Sequence, residues 1–461
     1  MLVIMKFGGT IIKQLGYSCM NRLISETYPM AKVVAVVSAP KGVTDLIDKA
    51  ARRAETGDEK SIEEALAEIR KEYVQVILKS SDNDSKATDL VDSNLDELKK
   101  VLYGIVHLRE LTRSTLDYAL SYGEMISSKL GAHMLSNMGI RSVGLSGKEA
   151  GIVTDEEFGN AKPLMNLSQM KIRSTVAPLI EKGIVAIVGG YCGATQNGRV
   201  TTLGRGGSDY TATILAAALN ADQVCLWTDV DGIMTADPKI VPDATTIPEL
   251  TYREATELFL LGGKFIHPRT LLPVAPLGIK VAIRNAFRPE KPGTAIASSA
   301  QSLGKVVKAV SLIRDVVMFT LLGPSMVARS GTVRMIFNSI DSAGAEVIML
   351  AQSASEVNFG IVVRREYADK VHTVLEVDLL GKVLDEIKVD DNICVVAAVG
   401  EGMRGSSGVA SKIFDAVARK NINVRMIAAS SEINISFVVS KGDEEETVRT
   451  VHDVFKLNEL S

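Results

Sequence analysis

Long apolar runs are missing from this 461-residue sequence. Pure stretches such as Val33–Val37 and Ile184–Val188 fall far short of the ~20 residues a membrane helix needs. An excess of one charge is missing too. The 52 basic side chains face 55 acidic ones, a net charge of −3, whereas a dedicated nucleic-acid binder normally carries a strong basic surplus. Cysteine is scarce and scattered. Cys19, Cys192, Cys225 and Cys394 form no CxxC and no paired spacing, so buried thiols in a reducing compartment are expected rather than a disulfide framework or a zinc site. The first five residues are apolar but run straight into Lys6 and two glycines. That stretch is too short for the core of a signal peptide and points to a cytoplasmic protein. What the chain has in quantity is apolar residues, 46% against 23% charged. This is the balance of a globular protein, and the length suggests about three domains.

Up to residue 300, short Val- and Ile-rich runs alternate with longer helix-period stretches. Leu2–Phe7, Val33–Ser38, Ile184–Tyr191, Gln223–Thr228 and Lys280–Asn285 read as strands, apolar throughout as parallel strands covered on both faces are. Between them, Ile62, Leu66, Ile69, Tyr73 and Val76 recur at helical steps within Lys60–Lys79. The polar stretch Ser80–Ser93 reads as a surface excursion. The alternation predicts an α/β sandwich with a mostly parallel sheet. Beyond it the chain repeats itself. Val316–Phe337 aligns with Ile393–Phe414 at an offset of 77 (393 − 316), which superposes Gly323 on Gly400, Met326 on Met403 and Gly331 on Gly408. After a one-residue deletion, Ser355–Phe359 falls on Ser431–Ile435. Each copy reads as strand, glycine-rich turn, helix, strand, strand, and a repeat of this kind sets the fold of the tail.

Four motifs carry chemistry. Lys6-Phe7-Gly8-Gly9-Thr10 ends the first strand, where paired glycines let the backbone approach an anion beside a lysine. Thr201–Tyr210 reads TTLGRGGSDY. Its three glycines surround Arg205, which can hold a carboxylate in a two-pronged contact, and Ser208 is expected to cap the alanine-rich helix that starts at Asp209. Trp227–Pro238 follows a strand end, the usual ligand edge of an open α/β sheet. Gly262-Gly263-Lys264-Phe265-Ile266-His267-Pro268 supplies a second lysine beside glycines, and two such lysines suggest a polyphosphate held from both sides. No GxxxxGK[ST] occurs, and no GxGxxG follows the first strand, which disfavours a Walker loop and a dinucleotide site.

KFGGT, SAPKGVTD, SYGE, TTLGRGGSDYT, TDVDGIMTADP, GGKFIHP and the paired C-terminal units together resemble the aspartate kinases of the amino-acid kinase family, which carry tandem ACT domains. The resemblance covers nearly the whole chain. It implies an amino-acid-kinase sandwich at 1–299, a first ferredoxin-like (βαββαβ) ACT domain at 314–385, and a second formed by 300–313 and 386–461. It implies an ATP-dependent kinase that phosphorylates the β-carboxylate of L-aspartate, giving 4-phospho-L-aspartate at the start of lysine, threonine and methionine biosynthesis. The alternatives are a catalytically inactive amino-acid sensor or a kinase for another small carboxylic acid.

By the same resemblance Lys6 and Lys264 neutralise the phosphates, lined by Gly8, Gly9 and Thr10, and Phe265 belongs to the ATP site. Arg205 and Ser208 hold aspartate, Glu124 takes its amino group, and Ser38 and Thr44 contact the acceptor side. Asp209 orients the lysine and substrate. Thr228, Asp229, Met234 and Lys239 fall at nucleotide-contacting positions, and Mg2+ would be held mainly by phosphates and water. Ile11 stands where the family has serine, Met234 where tyrosine is common and Lys239 where arginine is. A homodimer or larger assembly through the ACT domains is implied, with an amino-acid effector. Lysine-inhibited relatives have an aspartate after the strand valine, and here Ile348 follows Val347, so threonine is favoured over lysine.

Overall fold

The computed structural model describes residues 1–80, 84–262, 266–300, 305–323, 331–352 and 358–459. Two compact units emerge, Met1–Ile233 with Ile266–Ser299, and Met234–Phe265 with Ala300–Ser461.

The first unit is built on a sheet in the order Ser142–Leu145, Val185–Gly189, Lys32–Val37, Leu2–Phe7, Gln223–Thr228, Lys280–Asn285, Thr294–Ala297. All are parallel except the last, which runs antiparallel to its neighbour. Leu2–Phe7 is therefore flanked on both sides, Lys6 pairing with Val36 and Leu226. Both faces are closed. Met5, Phe7, Ala35 and Val37 pack into one apolar cluster, and Ile4, Val34 and Val36 are equally inaccessible on the other side. This is why the strands read as unbroken apolar runs rather than alternating ones. Helix Glu59–Leu78 buries Ile62, Leu66, Ile69, Tyr73 and Val76, the predicted stripe.

The expected polar excursion is different in kind. Residues 81–83 lie outside the described ones, but Ser85–Leu108 is a helix. Asp84 caps it by accepting the Ala87 N–H at 3.0 Å, and Val91, Leu95, Leu98 and Leu102 bury a stripe that the polar residues around it conceal.

In the second unit the repeat is visible element by element. Strand Val316–Leu322 corresponds to Ile393–Val399, helix Thr332–Ser342 to Val409–Arg419, and strand Asn358–Arg364 to Asn434–Ser440. Two antiparallel four-stranded sheets result. One runs Val347–Gln352, Asn358–Arg364, Val316–Leu322, Glu386–Asp390, and the other Ala309–Ile313, Ile393–Val399, Asn434–Ser440, Met426–Ser431. The copies exchange their outer strands. Ala309–Ile313 precedes the first copy yet pairs with Ile393–Val399 of the second. Glu386–Asp390 instead joins the first sheet, with Met318 opposite Asp390 and Leu322 opposite Glu386. The expected boundary at 385/386 therefore falls one strand early, because this strand completes the free edge of Val316–Leu322.

Within the expected kinase segment 1–299, the stretch Met234–Phe265 belongs to the second compact unit. Ala236, Ile240 and Val241 are buried in one apolar cluster with Val310, Val396, Phe437 and Val451. Thr235 Oγ1 meets His452 Nε2 at 3.0 Å, and Arg449 Nε donates to the Ile240 carbonyl at 3.0 Å. Further along, the Glu254 carboxylate takes Lys308 Nζ at 2.9 Å in a fully buried ion pair and accepts the Glu401 N–H at 2.8 Å. These contacts fold Met234–Phe265 with the tail.

Candidate active site

The parallel strands of the first unit deliver their C-terminal ends to one edge, and a cavity of about 410 Å³ opens there. It is lined by Lys6, Ser38–Asp45 without Val43, Glu124, Tyr191 and Gly204–Asp209. Of the residues expected at a site, Lys6, Ser38, Thr44, Glu124, Arg205, Ser208 and Asp209 come together here. Lys41 and Asp45, within SAPKGVTD, and Tyr191, outside every motif, line the cavity as well although no role was expected of them.

Lys6 ends its strand with its ammonium 2.6 Å from Asp209 Oδ1. A Cβ on Gly8 would lie 3.5 Å from that ammonium, so Gly8 lies beside Lys6. Gly8 is the N-cap of helix Gly9–Thr27, whose first turn carries no acidic residue. The N–H groups of that turn meet no acidic side chain within it and are suited to an anion. A Cβ on Gly9 would lie 2.4 Å from the Ala39 carbonyl oxygen, and the Lys41 N–H donates to the Gly9 carbonyl, so only glycine lets the two segments meet. Gly8, Gly9 and Thr10 thus open a helix beside Lys6 without lining the cavity itself. Ile11, in the place of the family serine, is fully buried in the apolar cluster of this unit, facing the core.

The arginine motif closes the other side. Helix Gly207–Leu219 is capped by Gly206 in the left-handed region (φ 73°) with no side-chain cap bond. The expected Ser208 cap is therefore not made. The glycine turn already delivers the chain into the helix, and Ser208 sits inside the first turn against Gly190. Asp209, also within that turn, faces Lys6. Arg205 is exposed on the cavity rim, and its guanidinium has no carboxylate partner among the described residues.

Glu124 is the electrostatic anomaly of the site. It lies on helix Arg113–Asn137 and is 4% exposed. One oxygen accepts the Ala39 N–H at 3.3 Å; the other has no partner among the described residues. Burial pushes the carboxyl up to about 7 against the opposing backbone hydrogen bond. Two turns earlier on the same helix, buried Asp117 accepts from the Thr202 N–H and hydroxyl at 2.8 Å each and from the Gly159 N–H at 2.9 Å. Burial still raises its carboxyl above the ordinary value. Asp117 pins the start of the arginine motif, and its helical spacing of seven from Glu124 was the available sequence signal.

The nucleotide positions are more dispersed. Thr228 ends the strand beside Lys6, with its hydroxyl 3.2 Å from the Asp229 carboxylate. The loop after it is tied down by Asp231, which takes Asn285 Nδ2 at 2.6 Å, Lys291 Nζ at 2.9 Å and Arg288 at 3.0 Å. Burial acts to raise the Asp231 carboxyl, but the Lys291 and Asn285 hydrogen bonds and the Arg288 charge hold it below the usual range. Met234 and Lys239 belong to the second unit. Lys264 and Phe265 lie outside the described residues.

Strand ends carrying a lysine, two helix N-termini and an arginine with no carboxylate partner among the described residues surround a buried carboxylate, an arrangement that suits a phosphotransferase. The comparisons agree. The model described as Amino acid kinase family matches residues 1–285, and an ACT domain model matches 319–379 and 396–455. The chain belongs to the amino acid kinase family, with the C-terminal ACT domains of the aspartate kinases. It is 29% identical over 460 residues to the chloroplastic aspartokinase 2 of Arabidopsis thaliana, covering 98% of this chain and 84% of that one. The bifunctional aspartokinase/homoserine dehydrogenase of Haemophilus influenzae is 38% identical over 278 residues, 59% of this chain and 34% of its own. Among solved structures, E. coli aspartokinase III in complex with aspartate and ADP (R-state) gives a TM-score of 0.83 at 26% identity, covering 99% of this chain and all of that one. Its lysine and aspartate complex (T-state) gives 0.79, with 98% and 99% covered. The protein is a kinase, an ATP-dependent phosphotransferase. Among the described residues no helix is long and apolar enough to cross a membrane.

Proposed function

We propose that the protein transfers the γ-phosphate of ATP to the β-carboxylate of L-aspartate, giving 4-phospho-L-aspartate and ADP, the first step towards lysine, threonine and methionine. The observation that carries this reading is that one cavity holds a buried Glu124 carboxylate oxygen and an Arg205 guanidinium, neither with a partner of its own among the described residues. A zwitterionic dicarboxylic acid needs both: Glu124 takes its ammonium and Arg205 a carboxylate. That leaves the β-carboxylate directed at Lys6 and the N-terminus of helix Gly9–Thr27, where the phosphates lie. Ser38, Thr44 and Ser208 line the acceptor side.

The β-carboxylate oxygen attacks the γ-phosphorus as the bond to the β-phosphate oxygen breaks, and no proton need move. Catalysis is then positioning and charge neutralisation. Lys6, steered by Asp209, and Lys264 supply cations, Gly8, Gly9 and Thr10 supply N–H groups, and Thr228, Asp229, Met234, Lys239 and Phe265 hold the nucleotide. Mg2+ would be carried mainly on the phosphates and water. That ion would neutralise charge on the transferring group.

The ACT copies, at residues 314–390 and at 300–313 with 391–461, bind an amino-acid effector and pair two chains or more. Ile348 sits half-buried at an irregularity of strand Val347–Gln352 and offers no charge to a lysine ammonium, which favours threonine. Much of the glycine-rich turn Gly323–Gly331 of the first copy lies outside the described residues. Four free, buried cysteines suit a reducing cytoplasm.

Trapping the acyl phosphate with hydroxylamine tests the reaction. Aspartate should give ATP-dependent hydroxamate, and glutamate and N-acetylglutamate should give little. Equal turnover on another acid would reassign the substrate, and no turnover on any would make the protein a sensor.

A further inference from the structure

Arg205 stands on a loop bracketed by two left-handed glycines, Gly204 (φ 69°) and Gly206 (φ 73°). Such a loop is free to swing unless something outside it fixes its backbone. One side chain does so. Arg269 Nη2 donates to the Arg205 carbonyl at 2.7 Å, and Nη1 of the same guanidinium donates to Asn160 Oδ1 at 2.8 Å. The guanidinium carbon lies 5.6 Å from the centre of the Tyr210 ring, on the helix that follows the loop. Asn160 is itself placed by the buried Asp117 carboxylate, which holds both the Gly159 N–H and the Thr202 N–H. The two chain segments flanking the fork thus share one anchor.

We propose that Arg269 is a positioning residue that fixes where Arg205 meets the substrate carboxylate, and so sets the affinity for the acceptor; this rests on the aspartate-binding role assigned to Arg205 above. The planar fork spans two acceptors, Asn160 and Arg205, at a set separation. A lysine at 269 keeps the charge but cannot hold both in that geometry. Misplacing a binding group by about 1 Å costs up to ~100-fold in a well-oriented site. The contact here is indirect, so a change near tenfold is expected.

The test is steady-state kinetics with aspartate and ATP varied separately. Arg269→Lys and Arg269→Met should each raise the KM for aspartate about tenfold, leave that for ATP within about twofold, and lower kcat less than they raise the aspartate KM. Asn160→Ala, at an exposed position that does not threaten folding, should shift the aspartate KM in the same direction by about threefold. In an Arg205→Ala background, Arg269→Lys should add nothing, since its effect runs through Arg205. Equal losses for ATP and aspartate would overturn the proposal by showing general damage to the loop. So would unchanged aspartate KM values in folded Asn160→Ala and Arg269→Lys proteins. A wild-type enzyme without aspartate-dependent turnover would instead overturn the functional reading, and the proposal with it.

Discussion

Glu124 gives the sharpest test of the site, because one buried carboxyl predicts two opposite effects. Its carboxyl is raised from 4.5 to about 7 by burial, so the free enzyme carries it about 90% ionised at pH 8 and about 10% at pH 6. Only the ionised form attracts the ammonium of aspartate. The kcat/KM for aspartate, which reports the free enzyme, should therefore fall about tenfold from pH 8 to pH 6. Glu124→Gln keeps an oxygen for the Ala39 N–H but loses the charge. It should raise the aspartate KM at pH 8 at least ~30-fold, about 2 kcal/mol, the low end for losing one partner of a buried charged contact, and its profile between pH 6 and 8 should be flat.

Stability runs the other way. A carboxyl raised on folding loses protons more readily in the unfolded chain, so its penalty is absent below pH ~4.5, grows as the pH rises, and is complete above ~7. At ~1.4 kcal/mol per pH unit the shift from 4.5 to about 7 corresponds to about 3 kcal/mol. Ligand-free Glu124→Gln should accordingly melt higher than wild type at pH 8, and the gain should vanish near pH 4.5. Thermal melts across that range, beside the kinetic profiles, decide it. A variant that loses stability at pH 8 while keeping its aspartate KM would refute the reasoning, for Glu124 would then be a structural carboxylate.

Lys6→Ala should lower kcat by about two to three orders of magnitude, as loss of a preorganised charge-stabilising group does, with a much smaller change in aspartate KM; single-turnover phosphate transfer measures this. Arg205→Lys should raise the aspartate KM at least about tenfold, near 1.4 kcal/mol, with ATP affinity barely moved, because an ammonium cannot reproduce the two-pronged contact. Lys308→Met strands the buried Glu254 carboxylate and should destabilise the second unit by about 3 kcal/mol or more, seen as a lower melting transition, and adding Glu254→Gln should recover part of it. Activity titrations with threonine and lysine should show stronger inhibition by threonine; stronger inhibition by lysine would defeat the argument from Ile348.

The central strands were legible because burial on both faces leaves a plain apolar signature, and Leu2–Phe7, Gln223–Thr228 and Lys280–Asn285 appear with the expected bounds. The repeat was legible because two copies of one packing problem keep the same glycines, Gly331 and Gly408, at their helix starts. Pattern reading failed where a local signal was weaker than a distant one. The polar letters after Asp84 hid a stripe with its own cap, and a serine beside three glycines looked like a cap that the glycine turn made unnecessary. The exchanged strands Ala309–Ile313 and Glu386–Asp390 lie outside the repeat they complete, so periodicity could not assign them. At the cavity, Lys6, Ser38, Thr44, Glu124, Arg205, Ser208 and Asp209 all come from motifs visible in the sequence. Asp117 and Arg269 do not, since each acts on backbone far away in sequence.

The passage from Met234 to Phe265 has a consequence for how such a protein can be rearranged. Cutting the chain near residue 299 looks like the separation of an engine from its governor. Yet Ala236, Ile240 and Val241 would lose the apolar cluster that covers them, Thr235 its histidine and Glu254 its lysine. The cut piece would be left with a frayed stretch of its own chain rather than freed from control. Exchange of tails between relatives meets the same obstacle, because a foreign tail must arrive with matching side chains for this insert. The unit of inheritance is thus tail plus insert, two stretches apart in sequence that must vary together.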